Sequence, residues 1–434
     1  MLSLGAATLC MPSGMRAQTP ALRQSISKLY EQAEASNASI ATLRAAVATA
    51  EAGVQTARAD KLPDVSGQAS FSYLGNARLW NRHFGESTSA PMPHYGNNFL
   101  LRAQQVLYAG GAIRSCIRLA GQQADMARWA VNDERQRVRF AVATLYPQLH
   151  CLRNQQAVYA RNRELAEKQI DLMRHRREEG VALRNDITRY ELQLQQMQLG
   201  ETAVTDRQSI VVKQLRTALG ADSAQVALLG EEAFDAGAIA MGTEGEWQQK
   251  ALLQHAGLQQ SQVAVDMNRT QERLARSERL PKVALVAEDH LDGPITIEVP
   301  PINKNLNYWF VGVGISYNFS SLYKSKRKIT QAQLATTQAR QQAATVAQGL
   351  SDGVHAAYVN LGTARSTLAT RQKGVQLAAE NYDVVSKRYA NGLALITDLT
   401  DAANMKLEAE LALANAQIDV LCSYYELRYA SHDL

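Results

Sequence analysis

Eight histidines and four cysteines are the residues with which this chain could hold a metal or activate a nucleophile. The histidines stand at 83, 94, 150, 175, 255, 290, 355 and 432, and no two share the spacing of a ligand pair. Cys10, Cys116, Cys151 and Cys422 are far apart and read as isolated thiols. The chain has no G-x-S-x-G nucleophile turn, no P-loop and no G-x-G-x-x-G opening a helix after a strand. Gly312 and Gly314 share a strand, which is ordinary packing or the lining of a lumen. These absences argue against an enzyme, a bound cofactor and a metal site. The net charge of +5 over 434 residues is modest and gives no reason to expect a nucleic-acid partner.

The remaining chemistry is electrostatic. Lys324-Ser325-Lys326-Arg327-Lys328 opens a helical stretch, where cations oppose the macrodipole. An external anion such as a lipid headgroup would offset that, and a solvated charge run explains it equally well. Asp398 and Asp401 stand three apart at the start of another helix, so both lie on one face and suit the positive end of the dipole.

What positions these residues is a design written twice. Gly180-Val181-Ala182-Leu183-Arg184-Asn185-Asp186 returns as Gly392-Leu393-Ala394-Leu395-Ile396-Thr397-Asp398, and Leu62-Pro63-Asp64-Val65 returns as Leu280-Pro281-Lys282-Val283. The offsets are 212 and 218 residues, about half the chain. Residues 1–17 read as a signal peptide cleaved after Ala17, and Leu9 before Cys10 argues against a lipoprotein. Residues 18–220 form a first structural repeat, 221–245 an irregular linker, and 246–434 a second repeat.

Each repeat begins with a helix, over 21–60 and 246–279. Pro63 and Pro281 stop them. A strand hairpin follows, over 65–108 and 283–319. In the first, Val65, Gly67, Ala69, Phe71 and Tyr73 alternate with small polar residues, 74–98 reads as a loop, and 99–108 as the return strand. In the second, a short strand over 283–288 stops at Glu288 and Asp289. The clearest strand puts Trp309, Val311, Val313, Ile315, Tyr317 and Phe319 on one face. Long helices follow over 112–179 and 324–390, and return helices over 186–219 and 396–431.

A helix of about 67 residues is roughly 100 Å long and needs a partner along its length. Leu407, Leu411, Ala414, Ile418, Leu421 and Tyr425 step by threes and fours, as do Val375, Ala378, Tyr382, Val385 and Tyr389, and Ile187, Tyr190, Leu194 and Met197. These are seams of antiparallel coiled-coil hairpins. Beyond the leader no apolar run reaches 18 residues, so no helix spans a bilayer. The strands, apolar on one face and small-polar on the other, suit a transmembrane barrel. Four strands cannot close, and an open sheet leaves its edges unpaired in lipid. Identical chains must therefore pool their strands. The competing reading is a sheet over a soluble core, in a coiled-coil tether with no pore.

Helix, L-P-x-V strand, loop, strand, long helix, G-x-A-x-x-x-D and returning helix, all duplicated, resemble the TolC family of outer-membrane efflux channels across nearly the whole mature chain. The resemblance implies a mainly α fold with a small β part, its long antiparallel coiled-coil helices forming an α-barrel. It implies a homotrimer in which each chain gives four strands to one twelve-stranded transmembrane β-barrel. The channel would sit in the bacterial outer membrane, in contact with its lipid, and extend into the periplasm. There it would dock a periplasmic adaptor (membrane fusion) protein and an inner-membrane pump, as the exit duct of a tripartite efflux system for small molecules. A role in type I protein secretion remains open.

The resemblance also assigns residues. Asp398 and Asp401 match an acidic pair whose rings constrict the periplasmic mouth. Asp186 and Tyr389 match a polar link that holds the mouth shut. Gly180 and Gly392 mark the hairpin tips gripped by the adaptor. Ala394 stands where the family's best-studied member has Arg, so one gate link is missing or differently made. Tyr317 replaces the Pro that many members have before the strand-to-helix turn, which leaves that turn less constrained.

Overall fold

The computed structural model describes residues 26–180, 183–220, 239–297 and 301–434. The expected leader and its cleavage site lie outside them, as does most of the expected linker.

The first helical stretch is two helices, α1 (Ile26–Ser36) and α2 (Ala38–Ala59). The break is at Asn37, whose Oδ1 accepts from the Ser39 N–H at 2.9 Å and caps α2. The strands β1 (Asp64–Tyr73), β2 (Ala77–Trp80), β3 (Ser87–Ala90) and β4 (Tyr95–Ala109) follow. The segment expected as a loop over 74–98 thus contains a small hairpin, β2 on β3. Asn81 makes its turn, its Oδ1 accepting from the Gly85 N–H at 2.9 Å. The remaining elements are α3 (Ala112–Glu178), α4 (Arg184–Leu219), α5 (Glu244–Gln254), α6 (Ala256–Ser277), β5 (Lys282–Gly293), β6 (Leu306–Ser316), α7 (Ser321–Ala390) and α8 (Ile396–Ala430).

The main sheet is antiparallel with order β1-β4-β5-β6. Its register puts Val65, Phe71, Phe99, Leu101, Leu285, Leu291, Trp309, Val311, Val313 and Ile315 on one face. That face is bare, with Phe71 77% and Trp309 73% exposed. The opposite face carries Ser66, Gln68, Ser70, Asn98, Arg102, Glu288, His290 and Asp292. This corrects the short strand expected over 283–288. Glu288 does not end β5, because it, His290 and Asp292 alternate onto the polar face. There Arg102 Nε meets Glu288 at 2.5 Å, Glu288 accepts from His290 at 2.9 Å, and the His290 ring stacks on Tyr308 at 4.6 Å. Asp289 falls on the apolar face, where Asn307 Nδ2 donates to it at 2.9 Å, and β5 runs on past it to Gly293.

Sheet and helices join through tight turns. Gly110, at φ +63°, comes so close to the end of α6 that a Cβ there would lie 2.7 Å from the Ser277 carbonyl. Before α7, Asn318 Oδ1 accepts from the Ser320 N–H at 3.1 Å. This side-chain turn fixes a strand-to-helix corner that, with Tyr317 in place of Pro, was expected to be loose. Of the basic run, Lys328 pairs with Glu278 at the end of α6, and Lys324, Lys326 and Arg327 are exposed.

α3 and α7, of 67 and 70 residues, run unbroken, and α3 continues through Pro147. Near the sheet α2 packs on α3, and α6 on both α3 and α7. Towards the far end α4 packs on α3, and α8 on both α3 and α7. α8 therefore has two apolar sides. Ala416, Val420 and Leu427 pack with Val354, Ala357, Leu361 and Leu368 of α7. Ala414 and Tyr425, from the expected hairpin seam, instead face α3. The Cys151 thiol donates to the Ala414 carbonyl at 3.3 Å, and Tyr425 clusters with Ala143. A single stripe cannot describe a helix with two neighbours.

α5 and α6 meet at His255, whose Nδ1 accepts from the Gly257 N–H at 3.1 Å. Its ring lies 5.2 Å from that of His432, which is buried after α8. Burial, with His255 adding to it, pushes His432 from the usual 6.5 down to about 4. Burial lowers His255 too, and Asp133 opposes both shifts. Neutral imidazoles thus belong to the folded form. Their stabilisation is complete above pH 6.5 and is lost as pH falls from there towards 4, where the unfolded chain takes up protons first. We expect the thermal midpoint to fall over that window, and His432→Gln to flatten the fall. Circular dichroism melts from pH 7 to 4 check this.

Candidate functional site at the helical tip

The two hairpins α3–α4 and α7–α8 end at the same tip, where residues of all four helices share one apolar cluster. Met173 and Ile170 come from α3, Ile187 and Tyr190 from α4, Tyr382 from α7, and Leu399, Ala402 and Ala403 from α8. The hydroxyls of Tyr190 and Tyr382 meet inside it. Gln193 of α4 donates to Asn404 of α8 at 2.8 Å.

Glycines reverse the chain at both tips. Gly180 has φ +81° and Gly392 φ +72°. At the second, Leu393 N–H donates to the Arg388 carbonyl at 2.8 Å and Gly392 N–H to the Tyr389 carbonyl at 3.0 Å. This pair of bonds is a Schellman turn, whose pivot needs the left-handed conformation that glycine adopts without strain. Val181 and Ala182 lie outside the described residues.

Beyond each glycine a leucine stands at the N-cap, Leu183 for α4 and Leu395 for α8. Leucine has no side-chain acceptor, so the aspartate at the third helical position reaches back instead. Asp398 Oδ2 accepts from the Leu395 N–H at 3.0 Å, and Asp186 Oδ2 from the Leu183 N–H at 3.4 Å. Asp398 and Asp401 are both exposed, and Leu399, Ala402 and Ala403 are buried in the tip cluster. The acidic pair thus faces away from the chain's own core.

Asp186 and Tyr389 are brought together without a hydrogen bond between their side chains. Burial raises the Tyr389 hydroxyl pKa, the Asp186 carboxylate adds to the rise, and Arg176 opposes it. The cap at Leu183 takes the carboxylate. Sequence reasoning missed Arg176. Its guanidinium lies over the Tyr389 ring, 6.0 Å from the centroid, and donates to the Ala390 carbonyl at 2.7 Å and the Tyr389 carbonyl at 3.4 Å. The available signal was the repeat itself, because Arg176 precedes Gly180 as Arg388 precedes Gly392. Ala394, in place of arginine, brings no cation to this region.

Among the described residues no group of three or more His, Cys, Asp or Glu is placed to hold a metal, and no helix is long and apolar enough to cross a membrane. The apolar sheet face is a separate matter, because strands cross a bilayer by another rule.

The model of the family described as outer membrane efflux protein matches residues 29–221 and 247–431. The chain belongs to this family. It is 21% identical over 425 residues to outer membrane protein TolC of Escherichia coli strain K12, covering 94% of this chain and 82% of that protein. It is 22% identical over 334 residues to outer membrane efflux protein BepC of Brucella suis biovar 1, covering 76% and 71%. In fold it is similar to CusC, with a TM-score of 0.80, 13% identity and coverage of 97% and 98%. The outer membrane channel CmeC of Campylobacter jejuni superposes with a TM-score of 0.75, 16% identity and coverage of 98% and 94%. This outer membrane efflux protein is therefore an efflux channel of the outer membrane that extends into the periplasm. Its bare sheet face is the lipid-facing wall, and its helical hairpins are the periplasmic body.

Proposed function

We propose that three copies of this chain form the exit duct of a tripartite efflux system for small molecules. A periplasmic adaptor grips the tips at Gly180 and Gly392, and an inner-membrane pump supplies the energy. In this reading residues 18–220 and 246–434 are two structural repeats of one unit.

The observation that carries the proposal is a pair of open edges running the length of the molecule. β1, α2 and α4 lie along one side, and β6 and α7 along the other. Each edge leaves apolar side chains bare, among them Leu192, Leu199 and Ile210 of α4 and Leu334, Leu377 and Val384 of α7. A sheet in lipid cannot end in unpaired backbone, so β6 of one chain pairs with β1 of the next, and the helices below close in the same sense. Such a head-to-tail contact makes a ring when the rotation closes. At the tip the exposed Leu183, Leu393 and Leu395 give an adaptor an apolar foothold. The acidic pairs of three copies then line one narrow mouth, in which carboxylates favour cations.

Mass measurement in mild detergent combined with planar-bilayer recording tests this. The expected result is a mass of three chains and a cation-selective conductance. A protein that stays monodisperse and monomeric without surfactant, or that inserts and conducts nothing, overturns it.

A further inference from the structure

The end of α7 leaves one main-chain acceptor that its own turn does not use. The Schellman turn takes the carbonyls of Arg388 and Tyr389. The Ala390 carbonyl receives its donor from another helix, through Arg176 Nη2 at 2.7 Å. Nη1 of the same group reaches the Tyr389 carbonyl at 3.4 Å, and the guanidinium lies over the Tyr389 ring. Arg176 stands in the last turn of α3. One cation therefore serves the negative ends of two helix dipoles that arrive side by side. Arg388, its counterpart in the second repeat, turns inward and donates to the Leu393 carbonyl of its own loop at 3.4 Å. The two arginines have parted roles, one closing a turn and the other joining two hairpins.

We propose that Arg176 is the clasp that positions the α7–α8 hairpin against α3, and that the periplasmic mouth opens when this bond to the main chain is released. The proposal rests on reading the tip as a gate. It differs from the side-chain link between Asp186 and Tyr389 in what it grips. The clasp holds backbone carbonyls, which no substitution at 389 or 390 to another non-proline residue removes. It also supplies a cationic link between the hairpins in a chain that has alanine at 394.

The test uses the full-length protein with Arg176→Ala, Arg176→Lys and Tyr389→Phe, each checked for wild-type mass in detergent. In planar bilayers Arg176→Ala should raise open probability roughly tenfold, the scale of one lost charge-assisted bond. Arg176→Lys, with one point charge and no fork, should fall between it and wild type. Tyr389→Phe should match wild type. Wild-type behaviour of Arg176→Ala overturns the clasp. So does a Tyr389→Phe channel as open as Arg176→Ala, because the tyrosine hydroxyl would then be the link. Amide hydrogen exchange at residues 391–393 reads the clasp without requiring conduction. Arg176→Ala should speed exchange there and leave the middle of α7 unchanged, and equal exchange in mutant and wild type counts against the clasp. Failure of the wild type to conduct speaks only against the duct.

Discussion

Alanine at both Asp398 and Asp401 is expected to abolish the block of single-channel current by multivalent cations. Both carboxylates are exposed on one face of α8, and Leu399, Ala402 and Ala403 on its other face are buried. Among the described residues neither carboxylate forms an ion pair. In the proposed trimer six such groups face one narrow lumen. Two unit charges about 4 Å apart interact by about 4 kcal/mol at an effective dielectric near 20. Even after screening by salt, removing all six should weaken block by about two orders of magnitude or more. The single variants separate position from structure. Asp401→Ala should lose a large part of the block with the fold intact. Asp398→Ala also frees the Leu395 N–H, so the first turn of α8 should fray and exchange its amides faster. Titration of the current with hexaamminecobalt(III) or with magnesium measures all three, and block that persists in the double variant refutes the acidic mouth.

Glutamate at Leu199 and Ile210 of α4, or at Leu377 and Val384 of α7, is expected to reduce the protein to single chains in mild detergent. Leu199 is 72% and Leu377 57% exposed in the isolated chain, and each lies on one of its two open edges. Burying a large aliphatic side chain contributes about 1.5–3 kcal/mol, and an unpaired buried carboxylate costs several more. Both changes recur at every contact of a ring, so the effect multiplies. Light-scattering mass distinguishes the outcomes. A persistent trimer would mean that the edges close through other residues.

Much of this fold was legible because the long helices advertise themselves. Alanine- and glutamine-rich runs closed by Gly180, Gly220 and Gly392 placed α3, α4, α7 and α8 to within a few residues. The interruptions were harder to read. Asn37 and His255 each break an early helix by accepting a backbone N–H, and nothing distinguishes such a residue from a polar one in mid-helix until the chain bends there. β5 was cut short because Glu288 and Asp289 looked like a loop. Whether a charged residue can stand inside a strand depends on what the neighbouring strands set against it, here Arg102 for Glu288 and Asn307 for Asp289, and Arg102 lies almost two hundred residues away. The stripe along α8 was assigned to one neighbour although the helix has two.

At the tip, the repeat drew attention to the glycines and aspartates but not to the arginine ahead of each glycine. The two copies there look equivalent in sequence. Only the packing of one hairpin on the other shows that Arg176 reaches outward while Arg388 does not. A link to main-chain carbonyls leaves no mark on the residue that receives it, which is why Ala390 carried no signal at all.

The uninterrupted spans of α3 and α7 also constrain how such a protein can change size. Each has to reach the tip together with its returning companion, and the apolar contacts between them repeat roughly every seven residues. One added heptad moves a helix end by about 10 Å. Inserted into α3 alone, it would carry Arg176 away from the end of α7 and leave Asp186 and Tyr389 at different depths. A longer or shorter reach across the periplasm therefore takes matched insertions or deletions in α3, α4, α7 and α8 at once. Natural variation in length should come in sets of four.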